Sequence, residues 1–380
     1  MEEDSIKILL IQLFRRIYNS VALCKQSRYT FFFTGGLMKK SLFILSSIFL
    51  ASFLLISCNK TNSKSSKKNE VIIYTYDSFA ADWGAAPKIA ASFQKETGIK
   101  AVFVDCGSGG QLLSRTIIEK DSPKADIILG IDNNNSIKAL QADILDSYIP
   151  QNADSIIDPN LQAQLGTKDK LIPYDYSHFT FIFDKRAEFK EPKCLADLAD
   201  PIYKNKIILM DPRTSTPGLG FVAWTKAVFT DDADFSAYWQ SIKPNVLTMA
   251  PGWSAGYGLF TNGEAPLVIS YTTSPAANLE YDKIDYYKAL VFDDGHYMQV
   301  EGAGILKNAP HRKEAELFMD FLISEKAQSA LPLTQWMYPV NKNVRLPDCY
   351  AMAAAKPNKT LSVNTELLSE AAEKAISIIK

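Results

Sequence analysis

Cysteine and histidine are scarce in this 380-residue chain, with five of the first and three of the second. Cys24 and Cys58 fall near the amino end, which leaves Cys106, Cys194 and Cys349 for the rest. Their spacing matches no zinc pattern, and an odd number excludes a complete disulfide framework. His178, His296 and His311 are scattered without ligand spacing, and no Ser-His-Asp set stands out, so no metal site is expected. Basic blocks are missing outside 59–69, and no basic face carries interleaved aromatics; nothing points to nucleic acid. There is no internal repeat. The apolar run Ser41 to Ile56 is shorter than the roughly 20 residues that a membrane-spanning helix needs.

What is present begins at Met38-Lys39-Lys40, a basic start to that apolar run, which closes on Leu55-Ile56-Ser57-Cys58. The pattern reads as a secretory signal. Its end resembles the lipobox of bacterial lipoproteins, which implies lipidation at Cys58. Residues 1–37 are expected to be an upstream extension, 38–57 the lipoprotein signal peptide and 58–70 a flexible tether. Asn, Lys, Ser and Thr dominate the tether and bury too little apolar surface to offset ordering entropy. Removing 1–57 takes away seven basic and three acidic residues, leaving 34 and 39, a net charge of −5. Such mild acidity suits an extracytoplasmic protein that binds a cation or a small molecule, and the lipobox resemblance implies that it is lipid-anchored to the membrane.

From Val71 onward the chain reads strand Val71–Thr75, helix Pro87–Thr97, strand Lys100–Val104, helix Gln111–Lys120, strand Ala125–Leu129. This alternation predicts an α/β fold with a mostly parallel sheet flanked by helices, and 310 residues suffice for two such lobes. Pro173 to Asp184 is a long aromatic strand with no helix after it, as expected of a strand crossing between lobes. A second series follows at Ile207–Met210, Gly220–Phe229, Asp234–Ser241 and Leu267–Ser270. Strand Tyr297–Val300 runs back, and helices His311–Ser324 and Glu325–Leu331 complete the chain. The division is 71–176 with 298–380 as lobe 1, and 177–297 as lobe 2.

Chemistry gathers at the carboxyl ends of these strands, where ligands of parallel sheets bind. Tyr74 to Gly84 follows a short apolar run with two tyrosines, Asp77 and Trp83. Aromatic faces attract a desolvated cation by about 0.5–2 kcal/mol each, so the group suits a flat cationic ring. Cys106-Gly107-Ser108-Gly109-Gly110 lies between strand and helix, and serves equally as an anion cradle or a tight turn. It completes neither a Walker A nor a GxGxxG pattern. Asp211 to Gly220 offers three hydroxyls at a helix start, either as a cradle or as an N-cap with Arg213 paired to Asp211. Gly252 to Gly258 carries Trp253 and Tyr257 in a loop, and Tyr271-Thr272-Thr273-Ser274 presents hydroxyls after a strand. Trp336 sits in a late loop, as a lid or as packing over a core.

Together, Tyr74–Gly84, Ala125–Asn134, Asp211–Gly220, Gly252–Phe260, Ser270–Ala276 and Trp336–Val340 resemble, in order across 71–345, the periplasmic thiamine-binding proteins of bacterial ABC transporters. The resemblance implies a two-lobed, type II periplasmic solute-binding fold with crossing hinge strands. It implies binding of thiamine, or its phosphate esters, and delivery to a permease and its ATPase. No cofactor and no catalysis are expected. Tyr76, Trp83, Trp253, Tyr257, Tyr271 and Trp336 match ring-contacting positions, with Asp77 nearby. Ser215, Tyr271, Thr272, Thr273 and Ser274 match polar positions at the hydroxyethyl or phosphate end. At the glycine loop Ser108-Gly109 stands where the family has Asp-Gly. Thiaminase I shares the fold and uses a cysteine nucleophile, which makes Cys106 the alternative, enzymatic candidate. Related ferric-ion binders use paired tyrosines, whereas Tyr271 is followed by threonine.

Overall fold

Val71, Ile73, Tyr74 and Thr75 all lose their solvent, so β1 (Glu70–Thr75) is an interior strand, as the Val/Ile-rich run predicts. The computed structural model describes residues 69–380. The signal, Cys58 and nearly all of the tether lie outside the described residues. β1 lies between β2 (Lys100–Asp105) and β3 (Ile127–Asp132), both parallel to it.

β4 (Ile172–Asp184) is the crossing strand. Beyond it come β5 (Ile207–Met210), β6 (Val246–Ala250), β7 (Leu267–Tyr271) and β8 (Tyr287–Ala289). The chain then returns through β9 (His296–Ile305) and ends its strands with β10 (Tyr338–Pro339) and β11 (Thr360–Leu361). The main order is β2-β1-β3-β9-β4-β7-β5-β6, with β8 and β10 on β4 and β11 on β9. The first half of β4 pairs antiparallel with β9, as at Tyr176 opposite Val300. Its second half pairs with β7, as at Thr180 opposite Ser270.

Two cores flank these crossing strands. Lobe 1 packs Ile73, Phe79, Phe93 and Phe318; lobe 2 packs Phe181, Trp224, Trp239 and Phe260. The change of core occurs between Tyr174 and Phe179 on β4, and between Tyr297 and Val300 on β9. Each of these large side chains contributes about 1.5–3 kcal/mol by burial. Trp224 also places its indole N–H, 2.9 Å from the Gly295 carbonyl.

Three differences from the sequence reading matter. The segment holding Trp253 is a helix, Trp253–Thr261, not a loop. Strand β9 extends to Ile305, past the expected Val300. The assignment of everything after residue 298 to lobe 1 is corrected at the carboxyl end, where helix Leu368–Ile379 follows. Leu368, Ala371, Ala372, Ala375 and Ile376 make one apolar stripe at helical spacing, and the first four join the lobe 2 core.

A candidate ligand-binding cleft between the lobes

The chain leaves β1 at Thr75 and places Tyr76 over Gly130. At that glycine φ is +109°, and a Cβ would stand 2.3 Å from the Tyr76 ring. Both the left-handed backbone and the close approach require glycine there. The Tyr76 hydroxyl, so positioned, donates to Glu301 Oε2 at 2.8 Å, and Tyr174 donates to the same oxygen at 3.2 Å. Gln335 Nε2 donates to the Tyr76 hydroxyl at 2.7 Å, while its own carbonyl oxygen is buried without a partner.

Glu301 stands opposite Asp175 in the register of β9 and β4, beside a bulge. Both carboxyls are buried on adjacent strands, and neither Asp175 oxygen has a hydrogen-bond partner. Two such groups side by side cannot both stay charged. Burial, then the charge of Glu301, pushes Asp175 well above the usual carboxylate range. Burial pushes Glu301 up to about 7, with the neighbouring Asp175 and the Tyr76 hydroxyl working against the rise. At least one of the two carboxyls is therefore protonated, and the proton belongs to the pair. Burial likewise raises the Tyr76 and Tyr174 phenols, and the nearby Glu301 adds to it.

Above this floor stands a cleft of about 650 Å³, counted with its open mouth. Its walls are aromatic and come from both lobes. Trp83 of lobe 1 is half-exposed and lies 6.4 Å from Trp253 of lobe 2, ring centre to ring centre. Trp253 stacks on Tyr257 at 5.0 Å and 16°, and its N–H donates to Ser270 Oγ at 2.8 Å. Tyr271 also lines the cleft, its hydroxyl donating to Gln299 Oε1 at 2.9 Å. Trp336 completes the wall at φ +58°, a conformation costing a bulky residue about 1–3 kcal/mol. Its ring is held edge-on by Tyr281 at 5.1 Å.

The polar end is built from two helix starts. Ser108 caps helix Gly109–Ile118 in a capping box with Gln111. Its hydroxyl donates to the Thr214 carbonyl of the other lobe. Gly109 passes so near Thr216 that a Cβ would stand 2.5 Å from Oγ1. Ser215 precedes helix Thr216–Val228, lines the cleft, and has a buried Oγ with no partner. Asp77 accepts from Ser254 Oγ at 3.2 Å, so the lobes touch across the cleft and the structure is closed.

Of the residues singled out in the sequence, Tyr76, Asp77, Trp83, Ser108, Gly109, Ser215, Trp253, Tyr271, Ser274 and Trp336 meet around this cleft. Three do not line it. Tyr257 lies behind Trp253, one helical turn on, with its hydroxyl 2.6 Å from Asn278 Oδ1. Thr272 and Thr273 turn inward to Ser177 of β4, because the Thr272 N–H continues the ladder to His178. The glycine loop takes its tight-turn form: Gly107 and Ser108 amides are engaged by Asp105 and Gln111. Arg213 is paired with Asp211, as in the capping alternative. Cys106 is absent from the lining; its thiol donates to Val104 and burial pushes it up, away from thiolate. Sequence reasoning missed Glu301, Gln299, Gln335 and Met337, all of which line the cleft. Among the described residues, no group of His, Cys, Asp and Glu is placed to hold a metal ion.

Comparison with known proteins follows the same lines. The model for bacterial extracellular solute-binding proteins matches residues 122–359. The chain is 40% identical to the thiamine-binding periplasmic protein of Brucella abortus biovar 1 (strain 9-941), over 78% of this chain and 86% of that one. It is 38% identical to the protein of that name in Escherichia coli (strain K12), over 77% and 87%. A solved periplasmic thiamin binding protein superimposes with a TM-score of 0.76 at 35% identity, covering 82% of this chain and 96% of that one.

Proposed function

The chain belongs to the bacterial extracellular solute-binding proteins, among the periplasmic thiamine-binding proteins of ABC transporters, and from that premise we propose how its cleft holds the vitamin. It works outside the cytoplasm and captures its ligand for a membrane permease. One observation carries the reading: aromatic rings from both lobes enclose a cleft whose lining has carboxyls but no lysine, arginine or histidine. A permanent cation with two flat rings satisfies both halves of that description. The thiazolium charge replaces the missing protein cation, and the rings stack on indole and phenol faces.

The hydroxyethyl arm points toward Ser215 Oγ, where a free hydroxyl and two helix starts offer hydrogen bonds. With no basic side chain lining the cleft, the least charged arm fits best, so thiamine and its monophosphate precede the diphosphate. Gln335 Oε1 is a ready acceptor for the exocyclic amine. The protein binds without turnover, since among the described residues no cysteine lines the cleft and burial holds the Cys106 thiol away from thiolate. It is tethered to the membrane by lipid on Cys58.

Native mass spectrometry of protein purified without refolding tests the binding. The expected spectrum carries thiamine or its monophosphate. A bare chain that stays bare after thiamine is added overturns the proposal. Incubation with thiamine and a thiol or pyridine should leave thiamine intact. Release of thiazole, lost in Cys106→Ala, would instead make the protein an enzyme. Cys58→Ser should abolish lipid attachment, and a wild-type chain found unlipidated would remove the anchor.

A further inference from the structure

The pair Asp175 and Glu301 is not explained by packing. Replacing a buried polar pair with apolar side chains is often neutral or stabilising, yet here two carboxyls occupy the middle of the crossing strands. Glu301 lines the cleft and Asp175 lies beneath it. The groups that face Glu301 are the hydroxyls of Tyr76 and Tyr174, with the Tyr271 phenol and the Asp132 carboxyl nearby. Asp132 stands opposite Glu301 on β3 and is held by Asn134 and Asn135. Gln299 and Gln335 add no charge. Every titratable neighbour is neutral or negative.

We propose that Glu301 is the counter-charge for the ligand's cationic ring, and that cation entry drives a proton out of the Asp175–Glu301 pair into solvent. The proposal rests on the reading of the cleft as a thiamine site, and adds to it a coupling between capture and proton release. In the empty cleft no positive charge offsets two buried carboxylates, so the pair keeps at least one proton and, on the acid side of neutrality, two. A thiazolium above Glu301 favours its ionised form. An opposite charge at that range lowers a carboxyl's pKa by about 1–3 units. By linkage, affinity then rises about tenfold or more between the doubly protonated and singly protonated cleft. The proton leaves the pair for bulk water, the other proton stays on the pair, and the carboxylate faces the cleft at Glu301. The strands that carry the pair run through both lobes.

Calorimetric titration of wild-type protein with thiamine, in two buffers of different ionisation heat at about pH 6, reads the released proton directly. The expected heats differ between buffers, and the affinity falls as the solution is acidified. Glu301→Gln should bind thiamine about tenfold or more weakly at neutral pH, with no buffer dependence. Asp175→Asn, in which burial still raises Glu301, should keep the proton release; its disappearance there would put the released proton on Asp175 and overturn Glu301 as the counter-charge. Equal heats in the two buffers, with thiamine bound, would overturn the proposal, as would proton release that survives in Glu301→Gln. Failure of wild-type protein to bind thiamine at any pH would overturn the parent reading of the site instead.

Discussion

The walls and the floor of the cleft are built by opposite rules. The walls are aromatic side chains at the ends of elements: Trp83 after the first strand, Trp253 at a helix start, Trp336 in a loop. Trp83 and Trp253 remain accessible, while Trp336 is buried. The floor is made of strand interiors, with Tyr174, Asp175 and Glu301 all buried and the hydroxyls of Tyr76 and Tyr174 on Glu301. A wall residue tunes binding and is nearly free to change. A floor residue is held by the packing of both lobes, so altering it disturbs the fold as well as the ligand. The difference follows from what each surface supplies: stacking area tolerates displacement, whereas a shared proton does not.

Gly130 offers the strongest break of this contrast. Gly130→Ala places a methyl inside the Tyr76 ring position and forces a left-handed alanine. Stability should fall by about 2–4 kcal/mol, read by denaturant unfolding. Loss of affinity without that loss of stability would show that the floor is a ligand contact and no more. On the wall, Trp253→Ala should weaken thiamine binding by about 1–2 kcal/mol. Because Trp253 stacks on Tyr257 and bonds Ser270, it also costs about 1 kcal/mol of stability. Unchanged affinity would remove the indole from the site. Behind the wall, Tyr257→Phe leaves Asn278 Oδ1 without its donor. Stability should drop by about 1 kcal/mol or less, with affinity within about twofold of wild type. A larger affinity loss would return Tyr257 to the ligand shell.

The same division decides how much was legible in the sequence. The walls were legible because aromatics and hydroxyls at strand ends have no packing reason to be there. Tyr76, Trp83, Trp253 and Trp336 announce themselves. The floor was hidden by register. Asp175 lies between two tyrosines in an aromatic strand, and Glu301 lies between Val300 and Gly302. Each is a single acid in an apolar run, 126 positions from the other by number. Only the pairing of β4 with β9 makes them neighbours. A lone carboxylate inside a strand was the available signal, since a charge there must find a partner or lose its ionisation. Thr272 and Thr273 misled for a similar reason. Their hydroxyls fit the cleft by position, but the backbone stays on the ladder for one more residue and turns them under the sheet. Trp253 and Tyr257 are four apart, a helical spacing that stacks one behind the other and explains why only the first lines the cleft.

The central claim is that a desolvated positive ring is what this cleft recognises. Titrating the full chain with thiamine and with an analogue whose thiazole ring is uncharged, while following tryptophan fluorescence, tests it most directly. The account predicts saturable quenching by thiamine, with the neutral analogue at least about tenfold weaker. Equal affinity for the two ligands would contradict it, and would mean that shape and stacking alone select the solute.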